Sequence, residues 1–86
     1  MSYEVGFKPA ALRQLRKLDA DVQVLIVAAI ESLAEYPRPE GCKKLKGETD
    51  LYRIRVANKY RVVYQIQDNQ LLITVVKVGH RRDIYR

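Results

Sequence analysis

The spacing of apolar positions changes from two to about 3.6 and back to two along the chain. Tyr3, Val5 and Phe7 alternate with Ser2, Glu4 and Gly6, which predicts a short strand with one buried face. Pro9 follows, a residue suited to the first turn of a helix because its missing N–H has no intrahelical partner there. Ala11, Leu12, Leu15 and Leu18 then recur at helical spacing, separated by Arg13, Gln14, Arg16 and Lys17. Asp19 or Asp21 is a suitable N-cap for a second helix, since a carboxylate accepts from exposed backbone N–H groups. That helix is predicted to run to about Tyr36, with Val22, Leu25, Ile26, Ala29, Ile30 and Leu33 as its main apolar stripe. Val24, Val27 and Ala28 fall on its other side. In a domain this small, a helix apolar on two sides is expected to offer one of them to a partner. Pro37 and Pro39 end it.

A charged connection from Arg38 to Asp50 carries Lys43, Lys44 and Lys46. The remainder, Leu51–Val56, Tyr60–Gln67 and Leu71–Val78, is rich in β-branched and aromatic residues and predicts three antiparallel strands. Ala57-Asn58-Lys59 suits a three-residue hairpin loop, and Asp68-Asn69 a two-residue one. Pairing Val56 with Tyr60 and Gln67 with Gln70 sorts the side chains by face. Tyr52, Ile54, Val56, Tyr60, Val62, Tyr64, Ile66, Leu71, Ile73 and Val75 share a core face for the helices to cover. The opposite face collects Arg53, Arg55, Arg61, Val63, Gln65, Leu72, Thr74 and Val76, with Arg55 directly across from Arg61. The expected fold is α+β in one domain over residues 1–86, an N-terminal strand and two-helix hairpin on an antiparallel sheet of about four strands.

Charge sharpens this picture. The net charge is +6, yet residues 1–42 hold five Lys/Arg against six Asp/Glu, and residues 43–86 hold eleven against four. The surplus therefore lies in the half that carries the arginine strands, which points to a polyanion or an acidic protein surface. A hydrophobic content of 48% with 30% charged residues excludes a disordered chain. The single cysteine, Cys42, has no partner for an internal disulfide and no Cys or His at ligand spacing. With no signal-peptide pattern at the N-terminus and no apolar run near bilayer length, the expectation is a cytoplasmic protein that does not engage membrane.

Arginines placed opposite one another repel unless an anion lies between them, and guanidinium groups hold phosphate oxygens bidentately. Arg53, Arg55 and Arg61, with Lys44 and Lys46 nearby, therefore form a candidate phosphate-binding surface. Gly79-His80-Arg81-Arg82-Asp83-Ile84-Tyr85-Arg86 adds cations, an imidazole and a phenol beyond the last strand. The carboxylates are scattered, and there is neither a glycine-rich phosphate loop nor a serine-triad pattern. No metal and no cofactor are implied. Cleavage of a nucleic acid would then proceed by attack of an RNA 2′-hydroxyl on its own phosphate. That reaction needs a proton acceptor, a proton donor and cations to stabilise the phosphorane. Arg, His and Tyr can fill these roles, and the distribution of roles among Arg55, His80, Arg81 and Tyr85 stays open.

The runs LxxYPRPEGCKKLKG, LYRIRVANKYRVVYQI and VVKVGHRRDIYR resemble the RelE toxins of the RelE/ParE superfamily, and the resemblance covers nearly the whole chain. It implies a type II toxin that enters the ribosomal A site, cleaves the mRNA there, and is neutralised by a cognate antitoxin in a hetero-oligomeric complex. By position, Arg61 and Arg81 match arginines that stabilise the transition state and assist the leaving group, and Tyr85 matches a tyrosine near the scissile phosphate. Lys46 matches a basic RNA contact, and Lys44, Arg53 and Arg82 join it as expected RNA-binding residues. Arg53 and Arg55 stand where well-known RelE toxins carry lysines, one of them cast as the general base. Arginine is a poor base, so the resemblance moves that role to Tyr85 or His80. Val24, Val27 and Ala28 are the expected contact with an antitoxin or another toxin chain. A ParE-like inhibitor of DNA gyrase, or a homologue without activity that only binds antitoxin, are the competing readings. Retention of Arg61, Arg81 and Tyr85 favours the nuclease.

Overall fold

The computed structural model describes residues 2–45, 47 and 50–80. Its elements in chain order are β1 (Glu4–Phe7), α1 (Pro9–Arg16), α2 (Ala20–Leu33), β2 (Lys43–Lys44), β3 (Leu51–Val56), β4 (Tyr60–Gln67) and β5 (Leu72–His80). The strands form a single sheet in the order β1-β5-β4-β3-β2. One face is packed by the helices through Ala11, Leu15, Ile26, Ile30 and Leu33, which meet Ile54, Val62, Tyr64, Ile66, Ile73, Val75 and Val78. Apolar burial on this one side is the main force holding helices to sheet.

Two features of the sheet differ from expectation. β1 pairs with β5 in parallel, Val5 against Ile73 and Phe7 against Val75, so the sheet is mixed. The chain between them runs through both helices and the other three strands, ample length for a parallel return. In addition, the charged connection contributes the two-residue edge strand β2, raising the count to five strands.

Local chemistry accounts for the element ends. Pro9 opens α1. Asp19 is the N-cap of α2, but its side chain makes no capping bond. The corner between the helices is held instead by Gln23, whose amide donates to the Leu18 carbonyl at 2.7 Å and the Arg16 carbonyl at 3.3 Å. α2 ends at Leu33, short of Tyr36. The β3–β4 hairpin has the expected Val56–Tyr60 pairing, with Ala57 and Asn58 both at positive φ.

The second hairpin is longer than expected. Asp68–Gln70 form a 3₁₀ turn and Leu71 is left-handed (φ 51°), so Gln67 pairs with Leu72 rather than Gln70. A slip of two residues leaves every side chain on its expected face, although Leu71 drops out of the core row. Further along, Tyr64 pairs with Val75 while Val63 pairs with Lys77, so Val76 is a bulge. One extra residue reverses the alternation. Val78 enters the core, 2% exposed, and Lys77 crosses to the opposite face.

Candidate nucleic-acid interface

The face of the sheet away from the helices is built from two ranks of residues. Across four strands run Lys43, Arg53, Val63 and Lys77, each paired with the next. Beside them run Arg55, Arg61 and Gly79. Neighbouring strands lie about 4.8 Å apart, so five cations share a patch about 14 Å across. Among the described strand residues, the one carboxylate that the register puts on this face is Glu4, on the far edge strand β1, while Glu40 of the α2–β2 connection lines a cleft with Lys43, Arg53 and Arg55. Arg53 is 6% exposed and Arg61 3%, whereas Arg55, Lys43 and Lys77 are open to solvent. Arg61 donates to the Tyr60 carbonyl at 3.5 Å. Gly79, across from Arg61, adds no side chain to this rank. The result is a basic floor with two buried arginines and three solvent-exposed cations around them.

Not every expected residue joins it. Lys44 pairs with Tyr52, and so belongs to the helix side of the edge strand. His80 pairs with Tyr60, also on the helix side, and their rings meet edge to face with centroids 5.8 Å apart. The bulge causes this placement, because it reverses which residues of the strand end face the arginines. Lys46, Arg81, Arg82 and Tyr85 lie outside the described residues. Among the described residues no three His, Cys, Asp or Glu side chains gather as a metal-binding group.

Residues 5–85 match the family model described as the ParE toxin of type II toxin–antitoxin system, parDE. The chain belongs to the RelE/ParE toxin superfamily. Within it the likeness is to RelE toxins. The mRNA interferase toxin RelE of Escherichia coli K12 is 35% identical over 82 residues, covering 94% of this chain and 85% of that protein. The toxin–antitoxin complex RelBE of E. coli superposes with a TM-score of 0.81 at 34% identity, covering 92% of this chain and 96% of that one. The RelBE2 complex of Mycobacterium tuberculosis gives 0.82 at 28% identity, covering 94% and 100%. This is therefore a RelE-type toxin fold of a toxin–antitoxin system.

The RelE-type chain has a second surface on α2. Val24 is 68% exposed and Leu25 53%, and Ala28 lies open beside them. Val27 does not belong to this patch, since it is half-buried and packs on the core. Leu25, expected in the core stripe, takes its place. Next to the patch, a cleft of about 510 Å³ runs between Ala29 and Ser32 of α2 and the edge of β3 at Arg53–Arg55. β2 pairs only with Tyr52 and Arg53, so among the described residues no strand pairs with the outer edge of β3 from Ile54 onward. No described helix of this toxin is long and apolar enough to cross a membrane.

At the opposite end of the sheet a polar cluster fastens the α2–β2 connection. Arg38 bonds Asp68 at 2.9 Å, donates to the Tyr52 hydroxyl at 3.2 Å and lies over that ring, 5.1 Å from its centroid. Tyr3 also donates to Asp68. Hydrogen bonds from Arg38 and then Tyr3 hold the Asp68 carboxyl below the usual carboxylate range, and the bond to Asp68 raises the Tyr3 phenol. Tyr64, fully buried and stacked on Tyr52, donates to the Pro37 carbonyl at 2.7 Å. Burial, followed by the nearby Cys42 thiol, pushes its phenol up. Sequence reasoning missed this cluster because its members are spread from residue 3 to residue 68. It also missed Lys43 and Lys77 on the basic face. The signal for Lys77 is present in the chain, where the core spacing of Ile73 and Val75 slips to Val78.

Proposed function

We propose that this chain is the toxin of a type II toxin–antitoxin pair and acts as a ribosome-dependent endoribonuclease. In this reading it cleaves mRNA in the ribosomal A site without a metal ion. The RNA 2′-oxygen attacks the adjacent phosphorus, the 5′-oxygen leaves with a proton, and a 2′,3′-cyclic phosphate forms. The observation that carries the proposal is the cross-strand pair of Arg55 and Arg61, with Arg53 in the neighbouring rank. Two facing guanidinium groups are matched to the extra negative charge of a pentacoordinate phosphorane more than to the ground-state diester. The relative named as an mRNA interferase supports mRNA as the target. Arg55 cannot act as the base, because guanidinium does not deprotonate in proteins. The position of His80 beside Tyr60 favours Tyr85 over His80 for proton transfer, with Arg81 as a cation that stabilises charge.

The test is a defined translation reaction with mRNA ends mapped by primer extension, with and without ribosomes. Arg55→Gln is the informative variant, since Arg55 is exposed and its loss leaves the core alone. Arg61 is buried, so Arg61→Gln serves better than Arg61→Ala, which also removes the packed stem. Ribosome-dependent cuts that fall by about 10²-fold or more in either variant support the reading; undiminished cutting removes these residues from the site.

The antitoxin is proposed to cover the α2 patch of Val24, Leu25 and Ala28. RelE–RelB complexes among the relatives support a cognate antitoxin as partner. The match to a ParE family model keeps one other reading, a toxin that inhibits DNA gyrase and cleaves nothing. Loss of supercoiling activity in a gyrase assay, with intact mRNA, would select it.

A further inference from the structure

We infer that Lys77 is a phosphate-binding residue of the basic face, put there by the Val76 bulge and held there by Gln14. The inference rests on the nuclease reading only in naming the polyanion as single-stranded RNA. Regular alternation along β5 would send residue 77 into the core row, where Val78 now lies. An ammonium group cannot be left there unpaired. With the bulge, Lys77 stands in the rank of Arg53 and Val63, about 10 Å from Arg53 across two strand spacings. It is exposed, and it carries the patch from β3 across the sheet to β5.

The bulge is fastened from outside the sheet. β1 pairs with β5 only as far as Val75, so among the described residues the outer edge beyond it has no strand beside it. At that edge the Val78 N–H donates to the Gln14 side-chain carbonyl at 2.9 Å. Gln14 thus replaces a ladder bond immediately after Lys77. It also lines, with Lys17, Lys77 and His80, a cleft of about 390 Å³ continuous with the strand edge. Loss of the amide leaves a part-buried N–H without its acceptor, and the strand has less reason to keep its kinked path. Lys77 therefore binds the ligand, and Gln14 is a positioning residue.

The occupant is the phosphate backbone of a single strand, read through charge alone. Five cations in two ranks match successive phosphates, and neither rank offers the aromatic platform that base stacking needs.

Binding of a fluorescent oligouridylate that is 2′-deoxy throughout, and so cannot be cut, is measured against salt for wild type, Lys77→Gln and Lys59→Gln. Lys59 is an exposed lysine of the β3–β4 loop and serves as the control for bulk charge. The expected result is a slope of log K on log salt shallower by about 0.7 for Lys77→Gln, one single-strand phosphate contact, with Lys59→Gln unchanged. Gln14→Leu is expected to reduce the slope when Lys77 is present and to change nothing further when Lys77→Gln is already in place. An unaltered slope for Lys77→Gln, an equal loss for Lys59→Gln, or no wild-type binding at low salt would each overturn the inference. In the translation reaction Lys77→Gln should raise the toxin concentration needed for half-maximal cleavage and leave the saturating rate intact; a fall in the saturating rate alone counts against it. A wild type that binds the oligonucleotide in the salt experiment but cleaves no mRNA in the translation reaction refutes the nuclease reading while leaving Lys77 in place.

Discussion

Val24 and Leu25 stand on the outer side of α2, 68% and 53% exposed, beside the small side chain of Ala28. Complete burial of a Val or Leu side chain is worth about 1.5–3 kcal/mol, so covering what remains open contributes roughly 1 kcal/mol at each position. Replacing both by glutamine keeps helix propensity and net charge while removing the apolar surface. The combined loss, about 2 kcal/mol, is about a 30-fold weaker Kd. Glutamine amides left without partners under an antitoxin would add to it. The assay is calorimetric titration of the Val24→Gln/Leu25→Gln toxin with its purified antitoxin, alongside thermal unfolding of the free toxin. Because both positions are largely solvated, the free protein should keep its stability within about 0.5 kcal/mol. Val27→Gln provides the contrast. It inserts an amide at the edge of the core, and should lower the Tm of the free toxin. A double variant that binds within twofold of wild type would refute the placement of the antitoxin on this face.

Tyr64→Phe removes the bond to the Pro37 carbonyl from a fully buried ring and should cost about 1 to 2 kcal/mol, read as a lower urea midpoint at unchanged slope. An unmoved midpoint would show that this bond does not anchor the α2–β2 connection. The Asp68 carboxyl is held low in the folded state, so its contribution is present above pH ~4 and is lost as pH falls through the depressed value. Asp68→Asn should therefore flatten the acid limb of stability against pH below ~4; parallel curves for the two proteins would sink the assignment. Ala57 sits at φ 53°, where an L side chain costs about 1–2 kcal/mol, while glycine adds unfolded-chain entropy worth about 0.4–1 kcal/mol. Ala57→Gly should thus raise the Tm slightly, and a lower Tm would mean that the alanine methyl is doing something in the hairpin that its backbone conformation hides.

Much of the toxin's organisation is legible along the chain. The two helices, the strand preceding them and the pairing of Val56 with Tyr60 follow from local periodicity and turn chemistry. So does the gathering of Arg53, Arg55 and Arg61 on one face, because alternation along a strand is a property of the backbone. Even the misjudged β4–β5 turn left the faces intact, since it slipped the register by an even number.

Three matters depended on elements distant in sequence. Val27 and Leu25 lie about 100° to either side of Ile26 on the helical wheel, and periodicity anchored on Val22 and Ala29 assigns Leu25 to the core and Val27 to the outside. Only packing against the rest of the fold covers Val27 and leaves Leu25 open. The side on which the strand end presents Lys77 and His80 was fixed by one extra residue at Val76, supported by Gln14 from α1. The cluster of Tyr3, Arg38, Tyr52 and Asp68 exists because β1, the α2–β2 connection, β3 and the β4–β5 turn meet at one end of the sheet. Sequence by itself determined which residues alternate and where the cations lie, because those are set by bonds between near neighbours. The tertiary structure decided which flank of α2 is covered, which way the end of β5 turns and which distant polar groups meet, because each is settled by contacts that cost chain entropy to form and exist only once the sheet has closed.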